Sequence, residues 1–292
     1  MRPLLIPLTE RLGRYALRRR GVRTRWMPTP LGRVHVYDAP GQGTLPTTVL
    51  LHGISSSATP FGPVLARLAR HVRRVVAPDY PGHGFTPAPA GTLTPEGLLG
   101  AMTGVLDALI DEPAIVVGNS LGGLLALHYA IARPERVRAL VLMSPGGAPS
   151  TDAEWSALKG AFDFDSRAGG LAFLARVYHR TPLIAHLVAH ELSASTGRRV
   201  VRDLLDAATN EHAPTPEALA ALPMPVLLVW GQSERLLPDS HLDYYARHLP
   251  QRTVVERPEG YGHCAHVDQP GRVAARIVSF AREIRRGDDV RE

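Results

Sequence analysis

The sequence is poor in cysteine, in lysine and in long apolar runs, and each shortage closes off a class of protein. One cysteine, Cys264, in 292 residues builds neither a disulfide framework nor a paired-cysteine metal centre. Nothing demands an oxidising compartment, and no metal or cofactor is implied. Cys264 stands beside His263, which invites a nucleophile reading, but adjacent residues rarely meet productively and a small buried thiol is the simpler account. No uncharged stretch approaches the ~20 residues that span a bilayer. The apolar patch in residues 1–7 is too short for a secretory core, and Glu10 and Arg11 follow it closely. A cytoplasmic protein is the expectation. Lys159 is the one lysine among 33 basic residues, so the net charge of +6 is carried by arginine spread along the chain. The densest run, Arg18-Arg19-Arg20, lies apart from every chemical motif, and no basic stripe with interleaved aromatics suggests nucleic acid.

What is present is an ordinary soluble balance, 45% hydrophobic and 21% charged, long enough for one large α/β domain with an insertion or for two small ones. Residues 34–37 alternate at period two. The runs at 48–51, 74–77, 114–117, 137–143, 225–230 and 253–256 have the apolar character of strands buried on both faces. Helical patterns fall between them, at 63–71, 95–110, after 121, at 238–249 and at 271–286. Thr94, Pro95 and Glu96 give the second of these a capped start. This alternation predicts a mainly parallel, doubly wound α/β sheet. The rhythm breaks between Pro145-Gly146-Gly147 and Pro223. There, short helical patterns at 171–178, 183–192 and 198–208 predict a helical insertion, a lid, over 146–223. The core is then 26–145 with 224–292. Residues 1–25 form a basic arm in which Leu4, Leu5, Leu8, Leu12, Tyr15 and Ala16 recur at helical spacing. Such a helix suits peripheral contact with a membrane surface, or packing on the domain. The sequence sets no oligomeric state.

Gly118-Asn119-Ser120-Leu121-Gly122 follows a buried strand and opens a helix. A nucleophile on so tight a turn needs strained backbone angles, and its neighbours two residues away must lack a Cβ. The plain alternative is a glycine-rich turn with an ordinary serine cap. A serine hydroxyl needs a base, and 13 histidines are available. His263 stands in a flexible loop, Gly260-Tyr261-Gly262-His263, before the last helix. His266 is its rival, and His52 and His83 also lie in loops at strand C-termini. Spacing alone does not choose among them. The base in turn needs a carboxylate. Glu234 lies just past the strand at 225–230, with Asp239 as a fallback. The bland reading of Glu234 is a solvated charge paired with Arg235.

With the order serine, acid, histidine, together with His52-Gly53 and Asp79-Tyr80-Pro81-Gly82-His83-Gly84 after early strands, the chain resembles the α/β-hydrolase superfamily over residues 33–286, in its serine esterase and monoacylglycerol-lipase-like branch. The resemblance implies Ser120 as nucleophile, His263 and not His266 as base, and Glu234 as acid, where most members carry aspartate. It implies an oxyanion hole from the amides of Ile54 and Leu121, and a structural role for Asp79. His52 and Gly53, with Phe162 and Phe173 of the insertion, are the expected substrate-binding residues. Other lid apolars, Leu183, Ile184 and Leu187 among them, are candidates for an acyl pocket. Epoxide- and carbon–halogen-cleaving relatives use an aspartate nucleophile, so Ser120 points to acyl transfer. The expected activity is hydrolysis of a small carboxylic ester with a short to medium acyl chain through an acyl-enzyme. The alternatives are a carbon–carbon bond hydrolase acting on ring-cleavage products, or a non-enzymatic binder on the same fold.

Overall fold

Eight short segments form one sheet in the computed structural model, which describes residues 3–196 and 199–289. They are β1 (Arg23–Thr29), β2 (Gly32–Pro40), β3 (Thr48–Leu51), β4 (Arg74–Pro78), β5 (Ala114–Ser120), β6 (Val137–Pro145), β7 (Val226–Val229) and β8 (Val254–Glu256). The order is β1-β2-β4-β3-β5-β6-β7-β8, antiparallel for the β1–β2 and β2–β4 pairs and parallel from β4 onward. Successive residues of β5 point to opposite faces. Val116 enters a core shared with the helices Pro95–Leu109 and Leu121–Ala132, while Ile115 and Val117 enter a second core with Gly62–Leu68 and Pro270–Asp289. Two apolar faces explain why these strands are continuous hydrophobic runs.

The chain direction across the sheet reverses at β3, whose neighbours are β4 on one side and β5 on the other. The loops leaving the C-termini of β3 and β5 therefore diverge, at the place where open α/β sheets bind ligands.

β1 was not legible as a strand. Its residues are all exposed or half-buried, and it lies at the sheet edge, so it lacks an apolar run. Pairing holds it, in register from Arg23 opposite Asp38 to Thr29 opposite Gly32, with an Arg25–Asp38 ion pair at 3.0 Å.

Between β6 and β7 the described residues contain helices and turns but no strand. The helix Asp152–Phe162 escaped the sequence reading although Thr151 and Glu154 form a reciprocal capping box. The helix Arg167–Val177 follows. The pattern at 183–192 is not one helix: it stops at Val188 and tightens into a short turn, Ala189–Glu191. Ala189 is fully buried there against Gly170, where a Cβ would come within 2.4 Å of the Ala189 carbonyl oxygen. The helix Arg199–Ala207 lies on the loop after β4, its Val200 packed against Gly82.

The N-terminal helix, Leu5–Arg19, rests on the domain through its inner side. Leu17 is buried against Gly62, and Glu10 accepts a hydrogen bond from Ser57 Oγ at 2.7 Å. Among the described residues, no helix is long and apolar enough to cross a membrane.

Candidate active site

Ser120 closes β5 and precedes the helix Leu121–Ala132 with φ 55° and ψ −120°. A non-glycine residue held at positive φ carries about 1–3 kcal/mol of strain, so the surroundings must enforce it. They do so by close approach. A Cβ on Gly118 would stand 2.2 Å from the Gly122 carbonyl oxygen, and one on Gly122 would stand 2.2 Å from that of Leu51. Only glycine fits either position. The turn is further fixed by the Gly146 amide, which donates to the Ser120 carbonyl at 2.9 Å.

Asn119 joins this turn to the histidine loop. Its Nδ2 donates to the carbonyls of Met143 at 3.0 Å and His263 at 2.8 Å. The sequence motif leaves that position free, so nothing in it signalled the role.

His263 Nδ1 donates to Glu234 Oε2 at 2.9 Å, with both side chains almost fully buried. The other carboxylate oxygen accepts from the amides of Leu236 at 2.8 Å and Leu237 at 3.1 Å. Burial pushes the Glu234 carboxyl up. The His263 imidazole, a hydrogen bond from Ser144 and the Leu237 amide outweigh it, and the group sits below the usual carboxylate range. The solvated-charge reading of Glu234 fails on this burial. Arg235 turns away, donating to the carbonyls of Ala175 at 3.1 Å and Tyr178 at 3.4 Å. Asp239 is also set aside: it starts the helix Asp239–His248 and pairs with Arg257. With Nδ1 engaged by the acid, His263 keeps Nε2 for a second partner.

His266 is not equivalent. The short helix Ala265–Asp268 turns its ring onto Phe61, stacked with centroids 4.0 Å apart. Burial, with His263 and His52 nearby, pulls its pKa down to about 3, so it is neutral. Cys264 is equally unsuited to act as a nucleophile, since burial, Glu234 and Asp268 all raise its thiol pKa.

His52 is fully buried, stacked on Tyr80 at 3.8 Å, with Nδ1 bonded to the Gly53 carbonyl oxygen at 2.8 Å. It therefore packs within its loop, as buried as Ser120 and His263 themselves. Gly53 does approach the serine: a Cβ there would lie 3.3 Å from Ser120 Cβ. The next residue, Ile54, and Leu121 at the helix start are partly buried on either side of this contact. Asp79 pins the surrounding loops, accepting from the Ala58 amide at 2.8 Å, the Phe85 amide at 3.0 Å and His35 Nδ1 at 2.9 Å. Phe162 and Phe173 pack on each other, centroids 5.1 Å apart. Phe162 also lines a cleft of ≈ 960 Å³ whose walls include none of Ser120, Glu234 and His263. Leu183, Ile184 and Leu187 point into solvent, so they line no acyl pocket in this conformation.

The insertion is tied to both loops that carry Glu234 and His263. His179 Nδ1 bonds Ser233 Oγ at 2.7 Å, and the Cys264 amide donates to the Val177 carbonyl at 2.9 Å. Asp268, absent from the sequence reading, accepts from Gly262 N at 2.8 Å with one oxygen and from His179 N at 3.0 Å with the other. Ser120 is left only 6% exposed.

Comparison with known proteins agrees with this architecture. Residues 46–270 match the family model described as the alpha/beta hydrolase fold. The 2-hydroxymuconate semialdehyde hydrolase of Pseudomonas putida is 31% identical over 274 residues, 86% of this chain and 91% of that protein. The pimeloyl-[acyl-carrier protein] methyl ester esterase of Xanthomonas campestris pv. campestris is 30% identical over 264 residues, 83% and 98% of the two chains. The crystal structure of carboxylesterase CesB from Bacillus subtilis superposes with a TM-score of 0.75 at 21% identity, covering 95% of this chain and 98% of that one. The chain belongs to the α/β hydrolase fold family.

Proposed function

We propose that the protein hydrolyses a small carboxylic ester through a covalent acyl-enzyme, with Ser120 as nucleophile, His263 as general base and Glu234 as its acid. The observation that carries this reading is the buried Glu234–His263 hydrogen bond of 2.9 Å beside a serine held at φ 55°. His263 Nε2 takes the Ser120 proton as Oγ attacks the ester carbonyl. Glu234 stabilises the imidazolium, and the amides of Ile54 and Leu121 receive the oxyanion, each such donor worth about 2.7–4 kcal/mol in the transition state. His263 returns the proton to the departing alcohol. A water, activated by the same imidazole, then releases the acid and restores Ser120. The esterase relative from Xanthomonas campestris supports ester cleavage.

Residues 146–223 act in this reading as the lid, and the preference is for short to medium acyl chains. A second reading has its own support in the semialdehyde hydrolase relative: carbon–carbon bond cleavage in a ring-cleavage product. An acidic dienoate calls for a cationic clamp, and Arg235, beside the acid, is already committed to lid carbonyls. Labelling with a fluorophosphonate, then turnover of p-nitrophenyl esters of graded length beside a 2-hydroxy-6-oxo-dienoate, separates the readings. Labelling and ester turnover with an inert dienoate are expected. Fast dienoate turnover with slow esters would establish the second reading, and no labelling would refute both.

A further inference from the structure

A helix lying on a protein surface ordinarily turns its apolar stripe inward and its charges outward. The helix Leu5–Arg19 turns its apolar stripe outward as well. Its inner side carries Glu10, Gly13, where a Cβ would meet Thr59 Cγ2 at 2.5 Å, and the single buried residue Leu17. Leu5, Leu8, Leu12 and Tyr15, spaced as one stripe, face solvent with exposures of 38–63%, and Leu4 before them is 75% exposed.

This orientation is held from a distance. Glu191, buried in the insertion, accepts hydrogen bonds from the amides of Leu4 at 2.8 Å, Leu5 at 2.9 Å and Ile6 at 2.8 Å. The helix has no side-chain cap of its own, and this carboxylate replaces it. Glu191 closes the turn directly after the helix Leu183–Val188, whose Leu183, Ile184 and Leu187 are also exposed, Leu183 at 87%. Glu191 thus brings the start of one outward apolar surface close to the segment that carries the other, and the two supply eight of the eleven large hydrophobic side chains that the described residues expose.

We propose that the two form a docking surface for an anionic phospholipid bilayer, built jointly by the N-terminal helix and the insertion. The charge pattern selects the partner. Arg11, Arg18 and Arg19 are exposed and follow the stripe at helical spacing, with Arg20 just beyond. The helix's one acid, Glu10, is turned to Ser57. Leucines entering the acyl boundary with arginines at headgroup level is the arrangement of an interfacial helix. Against a second copy of the chain, these arginines would meet no acidic residue on the matching stripe. Because Glu191 belongs to the insertion, a bilayer that seats the helix also seats this segment of the insertion.

Cosedimentation of the full chain with vesicles of phosphatidylcholine alone, and of phosphatidylcholine mixed with phosphatidylglycerol, tests this. Binding to the mixed vesicles only, weakened by added salt, is expected. Arg18→Gln with Arg19→Gln should lower partition by about 25-fold, since each arginine near such a surface contributes roughly fivefold. Leu8→Glu with Leu12→Glu should lower it by at least about tenfold. Circular dichroism and turnover of a soluble ester should be unchanged in both variants, because these residues face solvent away from Ser120. Wild type left in the supernatant with both vesicle types, or variants that bind as wild type does, would overturn the proposal. So would a dimer in sedimentation velocity that Leu8→Glu with Leu12→Glu disperses, since the face would then belong to a second copy.

Discussion

Replacing Glu234 with glutamine separates the charge of the acid from its shape, and the two hydrogen-bonding sides of the carboxylate dictate the result. One oxygen receives two backbone amides, Leu236 and Leu237, so the glutamine carbonyl oxygen must stay there. The new NH₂ group then faces His263 Nδ1, where the carboxylate accepted at 2.9 Å. Two donors cannot share that contact, so the imidazole switches tautomer and puts its proton on Nε2. A base protonated at Nε2 cannot accept the Ser120 proton. An acid-to-amide change that traps the wrong tautomer slows kcat by about 10⁴-fold where it has been measured in serine hydrolysis. At 1.36 kcal/mol per decade, that is about 5 kcal/mol of transition-state stabilisation. Stopped-flow release of p-nitrophenol at neutral pH is the assay, with thermal melting to confirm the fold. Glu234→Asp keeps the charge but draws the carboxylate back by one methylene, and should retain partial activity. Glu234→Gln turning over as fast as wild type would refute the reasoning, because the acid would then lie elsewhere.

The serine should be indispensable: Ser120→Ala is expected to lose about 10⁶-fold in kcat and all fluorophosphonate labelling, yet to melt near wild type, because Ser120 makes no capping hydrogen bond to its helix. His266 predicts an acid-sensitive fold. Its folded pKa, about 3, lies below the unfolded value of about 6.5, so the unfolded state binds the extra proton and stability declines as pH drops from about 6.5 toward 3, by roughly 1 kcal/mol per pH unit. Urea titrations of His266→Leu against wild type should show a shallower decline between pH 6.5 and 5, while kcat changes little. Glu234 adds to the fall at lower pH. Its folded pKa is depressed, so its contribution is present above the ordinary carboxylate range and is lost as pH falls through the folded value. In an ester series, kcat/KM should rise about fourfold per added methylene, from ~0.8 kcal/mol each, and then fall. Phe173→Ala, which opens the Phe162–Phe173–Phe164 cluster, should move the maximum to longer chains, and an unmoved maximum removes this cluster from chain-length selection.

The strands facing two cores announced themselves because burial on both faces leaves no room for polar residues, as in β3 and β5. The serine turn was legible for a related reason: its glycines answer a local steric demand written within five residues. β1 was hidden because an edge strand needs only one apolar face and gains its place by pairing with β2. Choosing between His263 and His266 lay beyond spacing, since both follow the same loop and only the turn of a four-residue helix sends one ring onto Phe61. The outward facing of Leu183, Ile184 and Leu187 was equally hidden. A six-residue helix has too few turns to reveal its phase. Glu191 and Asp268 act across long sequence separations, 185 to 187 residues in the case of Glu191, so no local pattern marks them.

The two-handed grip of Asp268 would limit how the proposed lid opens. A flap fastened at one edge swings from that edge. Here the fastened edge is the segment around His179, joined to the loops of both Glu234 and His263 by Asp268, Ser233 and Cys264. Pulling that edge away would drag the base out of position, leaving an open enzyme with a disarmed serine. The opposite edge, around Val200, rests on Gly82 through apolar contact and on the carbonyls of Pro89 and Gly91 through Arg199, bonds near the surface that water can replace. An opening on the Val200 side would expose the buried Val200, Val201 and Leu204, but it would leave the Glu234–His263 pair undisturbed and the serine armed.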